Sequence, residues 1–136
     1  MIFADNLRRF GRAPALVSDA EDVVTYADLA ARVAQSAASL RAFTGGERGL
    51  VIAAAHLSVP YIVAYLAALQ ARCPLIAVRD GEQCAGGEIA ERYRPVLRLG
   101  TDDARWERTG HDASALHPDL ALLLSTSGSM GSPKLV

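Results

Sequence analysis

The chain has 136 residues, 51% of them hydrophobic and 21% charged, which suits one domain with a core of its own and excludes an intrinsically disordered chain. Fourteen Lys and Arg against fifteen Asp and Glu leave a formal net charge of -1. These charges are spread along the chain, so there is no basic stripe for nucleic acid and no acidic tail for a basic partner.

In chain order, "ALV" (Ala15 to Val17), the turn formers "SDAED" and "VVT" (Val23 to Thr25) read as a short hairpin. A helix follows directly. Thr25 is its expected cap, Asp28 stands at the reciprocal capping-box position, and Val24 with Leu29 fits a hydrophobic staple. Tyr26, Leu29, Ala30, Val33, Ala37 and Leu40 then recur at helical spacing, so one face should pack on a core. "TGGER" (Thr44 to Arg48) ends the helix, because paired glycines cost stability inside a helix and serve well at its end.

A strand, helix, strand unit comes next: "LVIAAA" (Leu50 to Ala55), a helix from Val59 to Ala71 capped by Ser58, and "PLIAV" (Pro74 to Val78). Both strands are apolar throughout, as in a parallel sheet covered on both faces. The helix tolerates Pro60 because it falls in the first turn, and its nearly all-round apolar surface predicts a central position. "GEIAERYR" reads as a short helix supported by Glu88 and Arg92 at i,i+4, followed by "VLRL" (Val96 to Leu99) as strand. "GTDDARWERTGHDASALHPD" is polar and turn-rich and is expected as a surface loop, and "LALLL" (Leu120 to Leu124) as a buried strand. The expected fold is α/β: a partial doubly wound, mostly parallel sheet flanked by helices, with a short N-terminal hairpin.

The segment "STSGSMGSPK" (Ser125 to Lys134) follows that last strand. A phosphate-binding loop needs backbone N–H groups that can turn toward one anion, hence glycine at the bends and no bulky side chain in the way. Gly128 and Gly131 supply the bends; Ser125, Thr126, Ser127 and Ser129 supply hydroxyl donors. Lys134 supplies a compact positive charge and is the only lysine beside thirteen arginines. Pro133 stiffens the exit. The spacing is not that of a Walker A loop, since Lys134 follows Gly131 by three positions, and no glycine stands two before Ser127 or Ser129 to make a G-x-S-x-G elbow. On its own the segment is also consistent with a flexible Ser/Gly turn.

The loop resembles the phosphate-binding motif of the adenylate-forming superfamily: acyl-CoA synthetases, luciferases and the adenylation domains of peptide synthetases. The motif is written [ST]-[ST]-G-[ST]-[ST]-G-x-P-K, and Thr126, Ser127, Gly128, Ser129, Gly131, Pro133 and Lys134 match it. Met130 stands where a hydroxyl is usual, leaving its backbone N–H. "VVTYADLAARVAQSAASL", "VIAAAHLSVPYIVAYLAALQARCPLIAV" and "HPDLALLL" resemble the family's early segments in the same order.

The resemblance implies that residues 1–136 are a single incomplete domain, the N-terminal part of an AMP-binding domain ending just after the loop 125–134. It implies ATP and Mg2+ as cofactors, a carboxylic acid as substrate, and coenzyme A or an acyl or peptidyl carrier protein as acceptor. Thr126, Ser127, Gly128, Ser129, Met130, Gly131 and Lys134 would bind the nucleotide. The catalytic lysine is expected in the remainder of the chain, so residues 1–136 alone should not turn over. A stand-alone, non-catalytic α/β binding or interaction module is the alternative.

Other polar residues carry ordinary expectations. His56 reads as a polar cap near a helix start, His111 and His117 as solvated or turn residues, Asp102 and Asp103 as exposed carboxylates, and Trp106 as cover for the core edge. Cys73 and Cys84 have no histidine at ligand spacing, so a metal site is not expected and free cytoplasmic thiols are. Cys73 reads as buried filler. "MIFADNLRRF" lacks the apolar region of a signal peptide, and the longest apolar run, Tyr61 to Leu69, falls far short of the ~20 residues that span a bilayer.

Overall fold

A computed structural model describes residues 3–79, 86–125 and 135. The chain opens with a 3-10 helix, Phe3–Phe10, which the sequence reading did not anticipate; its Ala4 and Leu7 are buried. The hairpin follows as β1 (Pro14–Val17) and β2 (Val23–Thr25), antiparallel, with a register irregularity between Pro14 and Leu16.

Helix α1 (Tyr26–Thr44) buries Leu29, Ala30, Val33, Ala37 and Leu40, as their spacing predicts, while Tyr26 is half-buried. The Thr25 hydroxyl oxygen accepts from the Asp28 N–H at 3.2 Å. The box closes differently from expectation: the Asp28 carboxylate accepts from the Thr25 hydroxyl at 2.8 Å rather than from its backbone N–H. At the far end Gly45 takes φ +66, and the Gly46 N–H reaches back to the Arg41 carbonyl at 2.9 Å, closing the last turn.

The main sheet comprises β3 (Val51–Ala54), β4 (Leu75–Val78), β5 (Leu97–Leu99), β6 (Trp106–Arg108) and β7 (Leu122–Leu124), in the order β6-β5-β3-β4-β7. β3, β4, β5 and β7 are parallel; β6 runs antiparallel to β5 at one edge. β3 and β4 are buried at every residue, as their unbroken apolar sequences require of strands covered on both sides.

The covers differ. Val51, Ala53, Leu75, Leu97 and Leu99 meet α1 and α2 (Val59–Ala71) on one face. Ile52, Ala54, Ile76 and Val78 meet Ile89 and Ala90 of the short helix α3 (Glu88–Tyr93) on the other. Helices on both faces of a mostly parallel sheet make the α/β architecture expected from the sequence.

Three features depart from expectation. The segment after β5 is not all loop, because Trp106 turns inward and its indole N–H donates to Ser36 Oγ at 3.0 Å, while Glu107 pairs across the strands with Arg98 at 2.9 Å. β7 is an edge strand: Leu122 and Leu123 are half-buried and Leu124 is 47% exposed, since only β4 flanks it among the described residues. Glu88 and Arg92 are not among the ion pairs of the described residues; the Arg92 guanidinium lies 5.9 Å from the Tyr93 ring instead. No helix among the described residues is long and apolar enough to cross a membrane.

Candidate functional site

Because β3, β4, β5 and β7 are parallel, their carboxyl ends share one edge of the sheet, the usual place for ligands in open α/β folds. β7 delivers the chain to that edge. Its register with β4, Leu75 opposite Leu122, Ile76 opposite Leu123 and Ala77 opposite Leu124, brings Ser125 level with the end of β4. The chain comes back at Leu135, which forms an antiparallel bridge with Ser125 and packs on the Ile52, Ile76 and Ile89 side of the sheet. The nine intervening residues are therefore bounded by two bridged neighbours at the carboxyl edge. Thr126, Ser127, Gly128, Ser129, Met130, Gly131, Pro133 and Lys134, the sequence-predicted site, lie outside the described residues, as does Cys84.

Beside this edge, the turn from β3 into α2 is built by Ser58, whose Oγ accepts from the Tyr61 N–H at 3.4 Å. Ser58, not His56, is thus the helix cap; His56 contributes its carbonyl to the Ser58 N–H at 2.9 Å. Burial raises the Tyr61 phenol above its ordinary pKa, with the neighbouring Tyr65 adding to the effect. A cavity of ≈ 200 Å³ lies between these residues and the Gly100–Asp103 turn. It is below the ~300 Å³ at which small-molecule pockets begin, so it is not a nucleotide site by itself.

Asp102 and Asp103 are exposed as expected, with Asp103 accepting from the Arg105 N–H at 3.1 Å. Among the described residues no group of three or more His, Cys, Asp or Glu could hold a metal ion.

The opposite, amino edge of the sheet holds the residue that sequence reading missed. Arg48 Nε donates to the Arg72 carbonyl at 3.1 Å, one terminal nitrogen to the His117 carbonyl at 2.9 Å, and the other to the Leu120 carbonyl at 2.6 Å. His117 and Leu120 are the ends of the turn that feeds β7, closed by the Leu120 N–H to His117 carbonyl bond at 3.1 Å. His117 also accepts from the Asp119 N–H through Nδ1 at 3.2 Å, and the His111 N–H donates to Thr109 Oγ1, so both histidines are turn residues, as expected.

α2 carries no basic residue in its last turn. Its terminal carbonyls are served instead from outside, Gln70 by Arg41 at 2.8 Å and Arg72 by Arg48. Cys73 is 1% exposed. Burial pushes its thiol pKa up, against smaller lowering effects from the Gly49 N–H, Arg41 and Arg48, which suits filler and not a nucleophile.

No protein-family model matches the chain, and no curated protein matches it either. Solved structures do. The N-terminal subdomain of NpsA from Klebsiella oxytoca, in complex with anthranilyl-AMSN, is 25% identical with a TM-score of 0.69, covering 98% of this chain and 39% of that one. ATP-bound MatB from Rhodopseudomonas palustris is 24% identical with a TM-score of 0.60, covering 97% of this chain and 34% of that one. A fatty acyl-adenylate ligase from L. pneumophila, in complex with acyl adenylate and pyrophosphate, is 20% identical with a TM-score of 0.67, covering 98% and 29%. The chain spans under two fifths of the length of each. Its fold is that of the N-terminal subdomain of adenylate-forming enzymes, as the sequence resemblance implies.

Proposed function

We propose that the chain is the phosphate-binding portion of an ATP-dependent ligase that activates a carboxylic acid. A carboxylate oxygen attacks the α-phosphorus, the bond to the β-phosphate bridging oxygen breaks, and pyrophosphate leaves acyl-AMP behind. The acyl group then passes to a thiol of coenzyme A or a carrier protein, and AMP departs.

Thr126, Ser127, Gly128, Ser129, Met130 and Gly131 hold the β- and γ-phosphates through backbone N–H groups and hydroxyls, and Lys134 offsets their charge. Mg2+ accompanies the ATP and neutralises phosphate charge when bound. The acid pocket and the catalytic lysine belong to regions beyond these residues. Cytoplasmic ATP makes the cytoplasm the compartment of such a reaction.

The observation that supports this reading is a conjunction. A glycine and hydroxyl segment ending in lysine begins at the carboxyl end of a parallel strand, in a fold shared with structures that hold bound ATP or acyl adenylate.

The test combines two measurements on residues 1–136. Phosphorus resonances of the β- and γ-phosphates of ATP-Mg should shift on adding the chain, more than that of the α-phosphate. ATP–pyrophosphate exchange with an acid panel should be silent. Unchanged phosphorus resonances would overturn the phosphate reading in favour of a non-catalytic module, and exchange by these residues alone would overturn the division of labour.

A further inference from the structure

We propose that Arg48 is the register pin of β7 and thereby the positioning residue for the loop that follows it; the functional half of this proposal rests on the phosphate reading above. The need for a pin comes from the sequence of β7. Register in a sheet is normally set by the pattern of side chains that must face the core, since a one-residue slip turns every side chain to the other face. In β7 that pattern is nearly degenerate, because Leu122, Leu123 and Leu124 are consecutive and Leu120-Ala121 precede them. Slipping β7 by one residue in either direction still sets a leucine against Ile76, and sets Ala121 or Leu123 against Leu75 in place of Leu122. Apolar burial therefore discriminates poorly between registers. An edge position adds to the problem, since β4 is the one strand paired with β7 among the described residues, with a single further bridge from Ser125 to Leu135.

Arg48 supplies what the side-chain pattern lacks. Its fork grips both ends of the turn from His117 to Leu120 and ties that turn to the Arg72 carbonyl at the end of α2, directly before β4. Register is thus referred to the same helix end from which β4 starts. A guanidinium is suited to this because its donors lie in a rigid plane. The backbone bearing it is held too: a Cβ on Gly49 would stand 2.7 Å from Val96 Cγ2, so that segment sits pressed against the start of β5. A slip of one residue would break the bonds to the His117 and Leu120 carbonyls while the Arg72 carbonyl stays with α2, and it would move Ser125 by about 3.3 Å along the sheet and turn its side chain to the other face. A loop that must aim several N–H groups at one anion tolerates neither change.

The test compares Arg48→Met, Arg48→Lys and Arg41→Met in residues 1–136. Arg41→Met is the control, because Arg41 serves the same helix end through the Gln70 carbonyl without touching the turn. Amide exchange at Leu122, Leu123 and Leu124 should accelerate about tenfold or more in Arg48→Met relative to Ile52 and Ile76. Cross-strand contacts of Ile76 should shift from Leu123 to Leu122 or Leu124, and ATP affinity should fall by a similar factor. Arg48→Lys should show the same changes to a smaller degree, because an ammonium keeps the charge and loses the fork, and it decides the matter if Arg48→Met does not fold. Arg41→Met should leave the β7 contacts and ATP affinity as in the parent chain. Unchanged Ile76 to Leu123 contacts in both Arg48 variants, or loss spread evenly over all strands, would overturn the pin. Failure of the parent chain to bind ATP would remove the phosphate reading, while the exchange and contact data would still decide the register claim.

Discussion

Gly49→Ala offers a quantitative check on how tightly the segment carrying Arg48 is packed. Gly49 does not occupy the left-handed region, so alanine is conformationally allowed there and the cost comes from contact alone. The new Cβ would stand 2.7 Å from Val96 Cγ2 and 3.1 Å from Thr44 Cγ2. Val96 is β-branched and its N–H is bonded to the Leu50 carbonyl at 2.8 Å, so it has little freedom to retreat. Overpacking of this kind costs about 1–3 kcal/mol, offset by about 0.4–1 kcal/mol from the reduced entropy of the unfolded chain. A net loss of about 1–2 kcal/mol is expected in urea unfolding. Val96→Ala removes the principal obstacle. In that background Gly49→Ala should cost under about 0.5 kcal/mol, a coupling of about 0.5 kcal/mol or more between the two positions. Equal costs of Gly49→Ala in the two backgrounds would refute the contact argument.

Trp106→Phe should lose about 1 kcal/mol through the indole bond to Ser36, and Ser36→Ala should add almost nothing once that bond is gone, as a urea double-mutant cycle would read. Lys134→Gln should weaken ATP about tenfold or more while leaving the unfolding midpoint within error, measured by titration and by urea. Cys73 makes stability fall in alkaline solution. Its folded pKa lies above the ordinary 9.0, so the unfolded chain releases the thiol proton first and gains stability relative to the fold as pH rises past about 9. Cys73→Ala should flatten part of that decline above about pH 9, with unfolding free energy as the readout.

The parts of the fold legible in sequence are those whose signals are local and redundant. β3, α2 and β4 declare themselves through unbroken apolar strands, the Ser58 cap and a first-turn Pro60. α1 does so through five buried positions at helical spacing and glycines at its end. β6 is a three-residue strand with one inward side chain, and its formation depends on β5 offering a partner and Ser36 offering an acceptor. A twenty-residue stretch without structure, Gly100 to Asp119, was itself a warning, since loops of that length are uncommon inside compact domains. Among the described side chains of the N-terminal 3-10 helix, Ala4 and Leu7 are the buried ones, too few for a period.

The proposed phosphate loop is marked in the sequence by its glycines, hydroxyls and Lys134 and by the motif they resemble, and it lies outside the described residues. Arg48 was not, because the carbonyls it binds lie 24, 69 and 72 positions away and nothing in the local sequence marks them. β7 misled in one respect: apolar content indicated burial, whereas its place at the sheet edge sets how much it receives.

The most direct measurement is a backbone-amide titration of residues 1–136 with ATP-Mg, inorganic triphosphate and AMP, followed at Gly128, Gly131 and Lys134. The account predicts that ATP and triphosphate move these amides together, that AMP does not, and that Lys134→Gln weakens both responses. Equal responses to AMP and ATP, or amides in this segment indifferent to both polyphosphates at saturating concentration, would contradict it.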